Sequence, residues 1–177
     1  MSQLRVSNIK GSFKFEPTSE NFIQLIVQND CENLNLKWYK NFVVLRAKFV
    51  YIIFWSSGYV NVTKIRELSD IRQVFEEFSR LTGIATSSKF KIQNIHAFGR
   101  LNNIPNLHQC YQKIRDYESG EFTVFFNPSF FHGLKIYNHL GTFLLFQSGN
   151  YSFLGCRSMK NLNKLSSAIC AVMSKLS

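Results

Sequence analysis

The sequence contains little that would support catalysis, metal binding or a membrane span. Its four cysteines show no CxxC pair, and no second pair with ligand spacing accompanies His108 and Cys110. It has no nucleophile elbow and no glycine-rich phosphate loop. The longest apolar run, Phe49 to Trp55, is far shorter than the roughly 20 residues that cross a bilayer. We therefore expect no enzyme activity, cofactor, metal or membrane span.

Acidic residues are also scarce. Asp and Glu total 11 against 21 Lys and Arg, and no acid follows Glu121. Residues 1–88 carry 11 basic and 8 acidic side chains, whereas residues 89–177 carry 10 and 3. Such an excess attracts polyanions, so nucleic acid is the first expected partner. The sequence opens without a signal-peptide pattern, and together with the lack of CxxC spacing this indicates a reduced intracellular compartment.

An internal repeat organises the chain into two halves. The segment Val6 to Ile9 recurs as Ile92 to Ile95, and the segment Phe54 to Val60 aligns with Leu145 to Tyr151. A long segment with helical periodicity follows the second match in both halves. We expect two similar lobes, residues 1–86 and 87–177.

Each half reads as a strand, a short helix, a strand meander and a long helix. In the first half, strands are predicted over Leu4 to Phe15, Phe42 to Lys48, Phe49 to Trp55 and Tyr59 to Lys64, with a short helix after Pro17. In the second half, a strand from Phe90 to Gly99 precedes a helix after Pro105 and strands near Leu134, Phe143 and Tyr151. The long helices carry apolar stripes, which are Ile71, Val74, Phe75, Phe78 and Leu81 in one and Leu162, Leu165, Ile169, Val172 and Leu176 in the other. A sheet covered by helices on one face leaves its other face for a ligand.

The order and spacing of these segments resemble the TATA-box-binding protein family. The most specific stretches are Phe90 to Ile95, similar to the family's FKIQN(I/M), and Phe126 to Leu134, similar to its YEPELFPGL. The resemblance implies an α+β fold in which two pseudo-symmetric lobes form one curved antiparallel sheet, a saddle with helices on its convex face. It also implies binding to the minor groove of duplex DNA, where aromatic wedges unstack base steps and kink the duplex.

Carried over position by position, the resemblance assigns a set of DNA-binding residues. Phe131 and Phe146 match the wedges of the second lobe and Trp55 one wedge of the first, whose partner is Trp38 in an ungapped alignment and Tyr39 or Phe42 if the loop is shorter. Asn8 and Asn94 match two asparagines at the central base pairs, where an amide can donate or accept. The full set is Asn8, Lys10, Trp38, Ile53, Trp55, Asn61, Thr63, Arg66, Asn94, His96, Phe131, Leu144, Phe146, Ser152, Leu154 and Arg157.

Within this set, Thr63 matches one of two paired threonines, with Leu154 at the second place. Arg66 and Arg157 match paired lysines and are expected at phosphates, as contacts that position the protein without reading sequence.

Several of these positions depart from the family pattern. Lys10, Asn61, His96 and Ser152 stand where the family has groove-lining valines, so the apolar strip is partly polar. Polar groups can meet a guanine amino group, and we expect a relaxed or altered preference relative to a TATA element.

A second departure lies at the predicted partner surface. Asn127 and Ser129, beside Phe130, replace two glutamates that meet transcription factor IIB in the family. We therefore expect a divergent IIB-like factor or another initiation factor, alongside the RNA polymerase machinery.

The hypothesis that follows is a nuclear, or otherwise transcription-associated, initiation factor that binds and bends promoter DNA and can self-associate when free. The alternative is an interaction module that keeps the fold with weak or no DNA binding.

Overall fold

The computed structural model of the chain describes residues 4–15, 35–46, 50–84, 89–102, 106–115 and 120–174. Within these ranges it contains ten strands and three helices. The strands of the first half are β1 (Arg5–Lys14), β2 (Asn35–Tyr39), β3 (Phe42–Arg46), β4 (Tyr51–Trp55) and β5 (Tyr59–Ile65), and helix α1 (Asp70–Thr82) follows. The elements of the second half are β6 (Lys91–Arg100), α2 (Leu107–Arg115), β7 (Thr123–Asn127), β8 (Phe131–Asn138), β9 (Gly141–Phe146), β10 (Asn150–Cys156) and α3 (Met159–Ser174).

The chain divides into two compact units. The first unit is Asn8–Gln93, and the second unit combines Met1–Ser7 with Asn94–Ser177. The lobes expected from the sequence, 1–86 and 87–177, remain a prediction about the repeat.

Strand order is the same in both units when each is followed from its meander. In the first unit the order is β2-β3-β4-β5-β1, and in the second it is β7-β8-β9-β10-β6. Successive meander strands pair antiparallel, and the last one pairs with the strand that opens the half. The repeat seen in the sequence therefore has a counterpart in topology.

The core of the first unit is aromatic on its helix. Phe78 of α1 is fully buried and contacts the rings of Phe13, Phe15 and Phe54 at centroid distances of 5.1, 5.3 and 5.9 Å. Val74, one turn earlier, is also buried. The i, i+4 spacing of these two residues aligns one helix face with the strands, as the stripe predicted.

The core of the second unit differs in its long helix. Helix α3 buries only aliphatic side chains, Leu162, Leu165 and Ile169. The buried rings of this unit lie on its strands, where Phe143 contacts Phe153 at a centroid distance of 5.0 Å. Both cores exclude water from one face of their strands.

The structure departs from the predicted elements at the start of each meander. Strands β2 and β7 were not predicted, and no side chain of β7 is buried. A strand at the end of the pairing order lacks the strong apolar alternation that marks an inner strand. The helix predicted after Pro17, and the side chains of Leu81 and Leu176, lie outside the described residues. No helix within the described ranges is long and apolar enough to cross a membrane.

Candidate nucleic-acid interface

In each unit the strands present a second face, opposite the helices, that we call the open face. Strand β5 shows the alternation: Val60, Val62 and Ile65 are buried, whereas Asn61 and Thr63 between them are half-buried. Strand β10 repeats it, with Ser152 and Leu154 on the open face. Side chains on this face are available to a ligand.

Hydrogen bonds to Oδ1 hold the side chain of Asn8 on the open face of the first unit, in an arrangement that we call the asparagine seat. Its Oδ1 accepts a hydrogen bond from the backbone amide of Lys64 at 2.7 Å and another from the Thr63 hydroxyl at 3.1 Å. Lys64 has a φ of 67°, in the left-handed region, and the β1–β5 register shifts between Ile9 and Gly11. The asparagine thus satisfies a backbone amide that the irregular ladder leaves without its usual partner.

Asn94 makes the same seat in the second unit. Its Oδ1 accepts from the backbone amide of Gly155 at 2.6 Å, and Gly155 has a φ of 78°. The hydroxyl that Thr63 supplies in the first unit has no counterpart, because Leu154 stands at that place. Oδ1 of Asn8 accepts two hydrogen bonds and Oδ1 of Asn94 accepts one, and no described residue accepts a hydrogen bond from either Nδ2. In both units the bond to Oδ1 orients the carboxamide, so that Nδ2 is available to donate to a ligand.

The predicted wedges of the second unit contact each other. Phe131 and Phe146 are half-buried, with ring centroids 5.9 Å apart and planes at 67°. Gly133 pairs with Phe146 across β8 and β9. A Cβ on Gly133 would lie 2.7 Å from Cε1 of Phe131 and 3.1 Å from Cε1 of Phe146. The glycine leaves the space over which both rings lie.

The first unit builds a larger aromatic cluster. Phe42 lies between two rings, stacked on Tyr39 at 4.4 Å and 14° and tilted against Trp55 at 4.8 Å and 38°. The indole Nε1 of Trp55 is buried without a partner among the described residues. Of the candidate partners for Trp55, Phe42 contacts it directly and Tyr39 extends the stack. The side chain of Trp38 lies outside the described part of the structure, and its backbone pairs with Val43.

The remaining positions that are predicted to line the groove lie on the open faces. Ile53 and Asn61 pair across β4 and β5, and Leu144 and Ser152 pair across β9 and β10. All four are half-buried, whereas Lys10 is exposed beside the irregular register of β1. The polar side chains among them, Lys10, Asn61 and Ser152, are therefore accessible to a ligand and do not lie in the core.

His96 is held by a neighbouring strand. Its Nδ1 lies 2.9 Å from the hydroxyl of Ser7, and its backbone carbonyl lies 3.2 Å from the same hydroxyl. The flanking residues Ile95 and Ala97 are buried, which directs the imidazole to the open face.

Arg66 and Arg157 occupy matching positions beyond the ends of β5 and β10. Both are exposed. Neither lies inside its long helix, since α1 begins at Asp70 and α3 at Met159. They are available for solvent-side contacts such as phosphates.

Three lysines whose ammonium groups lie over tyrosine rings were not predicted from the sequence. The ammonium groups of Lys14, Lys64 and Lys135 lie 5.0, 4.1 and 4.6 Å from the ring centroids of Tyr59, Tyr51 and Tyr137, respectively. Cation–π contact holds a positive charge over an apolar surface. The i, i+2 pair Lys135 and Tyr137 could have been found, because residues two apart on a strand share a face.

Tyr51 also lies beneath the guanidinium of Arg46, 5.1 Å from its ring centroid. The hydrogen bond with Lys64 is the largest cause that lowers the pKa of the Tyr51 phenol, while burial opposes it and the charge of Arg46 assists. The pair of cations makes this end of the open face electropositive.

The predicted partner residues lie at the turn between β7 and β8. Asn127 uses its side chain to shape that turn, since its Oδ1 accepts from the amide of Ser129 at 3.2 Å. Phe130 projects from it and is 87% exposed. An aromatic ring so exposed is a candidate contact for another protein.

No cluster of His, Cys, Asp and Glu suited to a metal ion occurs among the described residues. The ring of His108 contacts Phe126 at a centroid distance of 6.5 Å. Burial raises the pKa of the Cys110 thiol, with Lys113 opposing.

Comparison with known proteins identifies a protein family and solved structures that are similar to this chain. Residues 89–176 match the family described as transcription factor TFIID, or TATA-binding protein. Among solved structures, the TBP of Methanococcus jannaschii matches with a TM-score of 0.75 and 19% sequence identity, covering 98% of this chain and 99% of that one. The likeness confirms the predicted α+β fold class with antiparallel strands. No curated protein matches the sequence.

Proposed function

The chain belongs to the TATA-binding protein family, and from that premise we propose that it is a transcription initiation factor that binds and bends promoter DNA through the minor groove. The observation that carries the proposal is the pair of rings, Phe131 and Phe146, standing together over Gly133 on the open face. Flat, stiff, apolar side chains at one place are what insertion between base pairs needs.

The asparagine seats support recognition of the minor groove. With Oδ1 of Asn8 and Asn94 engaged by backbone amides, each Nδ2 is a fixed donor. The minor-groove edges of A·T pairs offer only acceptors, N3 of adenine and O2 of thymine. Both seats therefore favour A·T pairs at the positions they meet.

The polar groove residues support an altered preference elsewhere in the site. Lys10, Asn61, His96 and Ser152 add donors and acceptors where the family pattern is apolar. We expect a preference that is relaxed or altered relative to TATAAA. Selection from random duplexes tests this expectation, and a sharp preference for TATAAA would contradict it.

Basic residues around the open faces supply the sequence-independent part of binding. Arg66 and Arg157, together with the lysines that lie over tyrosine rings, can contact the phosphates of the duplex. Each phosphate contact releases counterions, so affinity should fall steeply as salt rises.

The protein is expected to act where its genome is transcribed, with a IIB-like factor or another initiation factor as partner. Phe130, exposed in the turn with Asn127 and Ser129, is the proposed contact. Because the turn carries no acidic residue, the partner should meet it through apolar and neutral polar groups.

A second candidate function is an interaction module of the same fold with weak or no DNA binding. The observation that favours it is the exposed Lys10 and the half-buried Asn61 on the open face, since polar groups there weaken an apolar fit to the groove. The partner would then dock on the open face itself.

One experiment separates the two functions. A duplex labelled with a fluorophore at each end is titrated with the protein at two salt concentrations, and affinity and end-to-end distance are recorded. The proposal requires tighter binding at low salt together with shortening of the duplex. Binding without shortening, or no binding, favours the interaction module.

Variants then test the wedges. Because stacking on an aromatic ring is worth about 1–3 kcal/mol per base, the double variant Phe131→Ala, Phe146→Ala should bind at least about tenfold more weakly and fail to shorten the duplex. Phe130→Ala is the matched control, since its ring is exposed in the same unit and belongs to neither wedge. If the double variant shortens the duplex as the parent does, the wedge assignment is wrong.

A further inference from the structure

The contact between Ser7 and His96 fixes more than the position of the imidazole. The single hydroxyl proton of Ser7 can be donated to only one acceptor at a time. The hydroxyl approaches both the backbone carbonyl of His96, at 3.2 Å, and its Nδ1, at 2.9 Å. Both contacts are hydrogen bonds at once when Ser7 donates to the carbonyl and Nδ1–H donates to Ser7.

That arrangement selects a tautomer. In a neutral imidazole whose Nδ1 carries the proton, Nε2 is an acceptor. No described residue is hydrogen-bonded to Nε2. His96 thus offers an acceptor on the same strand face on which Asn94, two residues earlier, offers a donor.

In a minor groove only one base group donates a hydrogen bond, the N2 amino group of guanine. We propose that His96 is a specificity-determining residue that accepts a hydrogen bond from this amino group, with Ser7 as the positioning residue that holds Nε2 unprotonated. The inference rests on the proposed minor-groove function. It converts a general expectation of altered preference into one base pair recognised through one atom.

The DNA test changes only the amino group. The protein is titrated against a fluorophore-labelled duplex carrying a site selected from random sequence. At each position in turn, guanine is replaced by inosine, which lacks the amino group, or adenine by 2-aminoadenine, which adds it. At one position the amino group should strengthen binding of the parent about 3- to 10-fold, the effect of one hydrogen bond.

Variants attribute that effect. His96→Val should lose the preference for the amino group while it still binds and shortens the duplex. His139→Val is the matched control, an exposed histidine of the same unit, and should keep the preference. Circular dichroism checks that all variants are folded.

The role of Ser7 has a readout that needs no DNA. Long-range proton–nitrogen spectra of protein labelled with ¹⁵N-histidine, recorded where the imidazoles are neutral, report each tautomer, and the signal missing from His96→Val identifies His96 among the four histidines. We expect the Nδ1–H tautomer in the parent and a shift toward Nε2–H in Ser7→Ala. The Ser7→Ala variant should also lose part of the preference for the amino group.

The outcomes distinguish the two proposals. Binding and shortening without any position at which the amino group favours the parent over His96→Val overturns the role of His96 and leaves the proposed function intact. An Nε2–H tautomer in the parent overturns the role of Ser7. Absence of binding to every duplex overturns the proposed function and this inference together.

Discussion

Each unit has a cluster of rings on its open face, at the end of β4 or of β9, that we call its aromatic tip. The two units form these tips in opposite ways at the same register position. In the first unit, Phe42 pairs with Trp55, and its own ring completes the cluster with Tyr39. In the second unit, Gly133 pairs with Phe146, and its missing side chain makes room for Phe131. The ring that contacts Trp55 therefore comes from the residue paired with it, Phe42, whereas the ring that contacts Phe146 comes from Phe131, two residues before the paired Gly133.

The asparagine seats differ in a similar way. Asn8 faces a lysine in the left-handed region and gains a hydroxyl from Thr63, whereas Asn94 faces a glycine and gains none. The shared element is the carboxamide oxygen that satisfies a backbone amide. In the first unit the backbone amide belongs to Lys64, which brings a positive charge and whose left-handed φ is strained. In the second unit the amide belongs to Gly155, which brings no charge and adopts this φ without strain.

The largest expected effect concerns the cores. Phe78→Ala removes the ring at the centre of the first unit's aromatic cluster and should lower the free energy of unfolding by about 3–5 kcal/mol. Chemical denaturation followed by circular dichroism measures it. Ile169→Ala, in the aliphatic helix of the second unit, should cost about 2–5 kcal/mol. Phe130→Ala is the exposed control, and a loss there equal to that of Phe78→Ala would contradict the core assignment.

The next effect concerns the aromatic tips. Gly133→Val places a side chain where Cε1 of Phe131 already lies, so the ring must swing aside. We expect about a tenfold or greater loss of DNA affinity with loss of duplex shortening, from the roughly 1–3 kcal/mol that one stacked ring contributes. The thermal midpoint should fall little, because an exposed-face ring can move without breaking the core.

Phe42→Val tests the aromatic tip of the first unit. It removes the ring between Trp55 and Tyr39, so this variant should also shorten the duplex less than the parent does. If Gly133→Val shortens DNA as the parent does, the space over the glycine does not position the wedges.

These comparisons also show what the sequence could predict. Trp55 and Phe146 are predicted as wedges because both precede a Ser-Gly turn that repeats along the chain, and Phe131 because it lies in the stretch Phe126 to Leu134 that resembles the family pattern. The role of Phe42 depends on a cross-strand register that follows a loop of uncertain length, and so the alignment alone left Trp38, Tyr39 and Phe42 open. Register is set by turn geometry and pairing, which a linear pattern does not carry.

The asparagine seats show a second limit. Asn8 and Asn94 are predicted from the repeat and the family resemblance, but the hydrogen bonds that Oδ1 accepts come from amides 56 and 61 residues away along the chain. Likewise, nothing in the sequence pairs Ser7 with His96, which are 89 residues apart. Hydrogen bonds between distant strands follow from topology and not from local pattern.

A smaller effect concerns backbone strain in the two seats. Lys64→Gly should stabilise the first unit by up to about 1 kcal/mol, because glycine adopts a positive φ without steric cost, offset in part by its freer unfolded chain. Gly155→Ala should destabilise the second unit by about 1–2 kcal/mol. A Cβ on Gly155 would meet its nearest atom at 3.9 Å, so the cost would come from the backbone alone.

Lys64→Gln is the control for charge, since it keeps a side chain at the strained position. Its stability by chemical denaturation should stay close to that of the parent. A gain as large in Lys64→Gln as in Lys64→Gly would show that charge, and not φ, limits the first seat.

The smallest effect is the titration of Tyr51, on which Lys64 has the largest influence. Lys64→Gln removes the hydrogen bond that is the main cause of the lowered pKa of this phenol, so the pKa should rise toward its ordinary value, with Arg46 still lowering it. Because the folded state has the lower pKa, ionised Tyr51 favours folding at alkaline pH, and this contribution is lost as pH falls through the folded pKa.

Ultraviolet absorbance isolates this titration when the spectrum of Tyr51→Phe is subtracted in the parent and Lys64→Gln backgrounds. Lys135→Gln, beside Tyr137 in the second unit, should leave Tyr51 unchanged. An unaltered Tyr51 titration in Lys64→Gln would mean that Lys64 is free of the ring in solution. The lysine would then reach outward as Arg66 does, and the first unit would present a mobile cation in place of one held over a tyrosine.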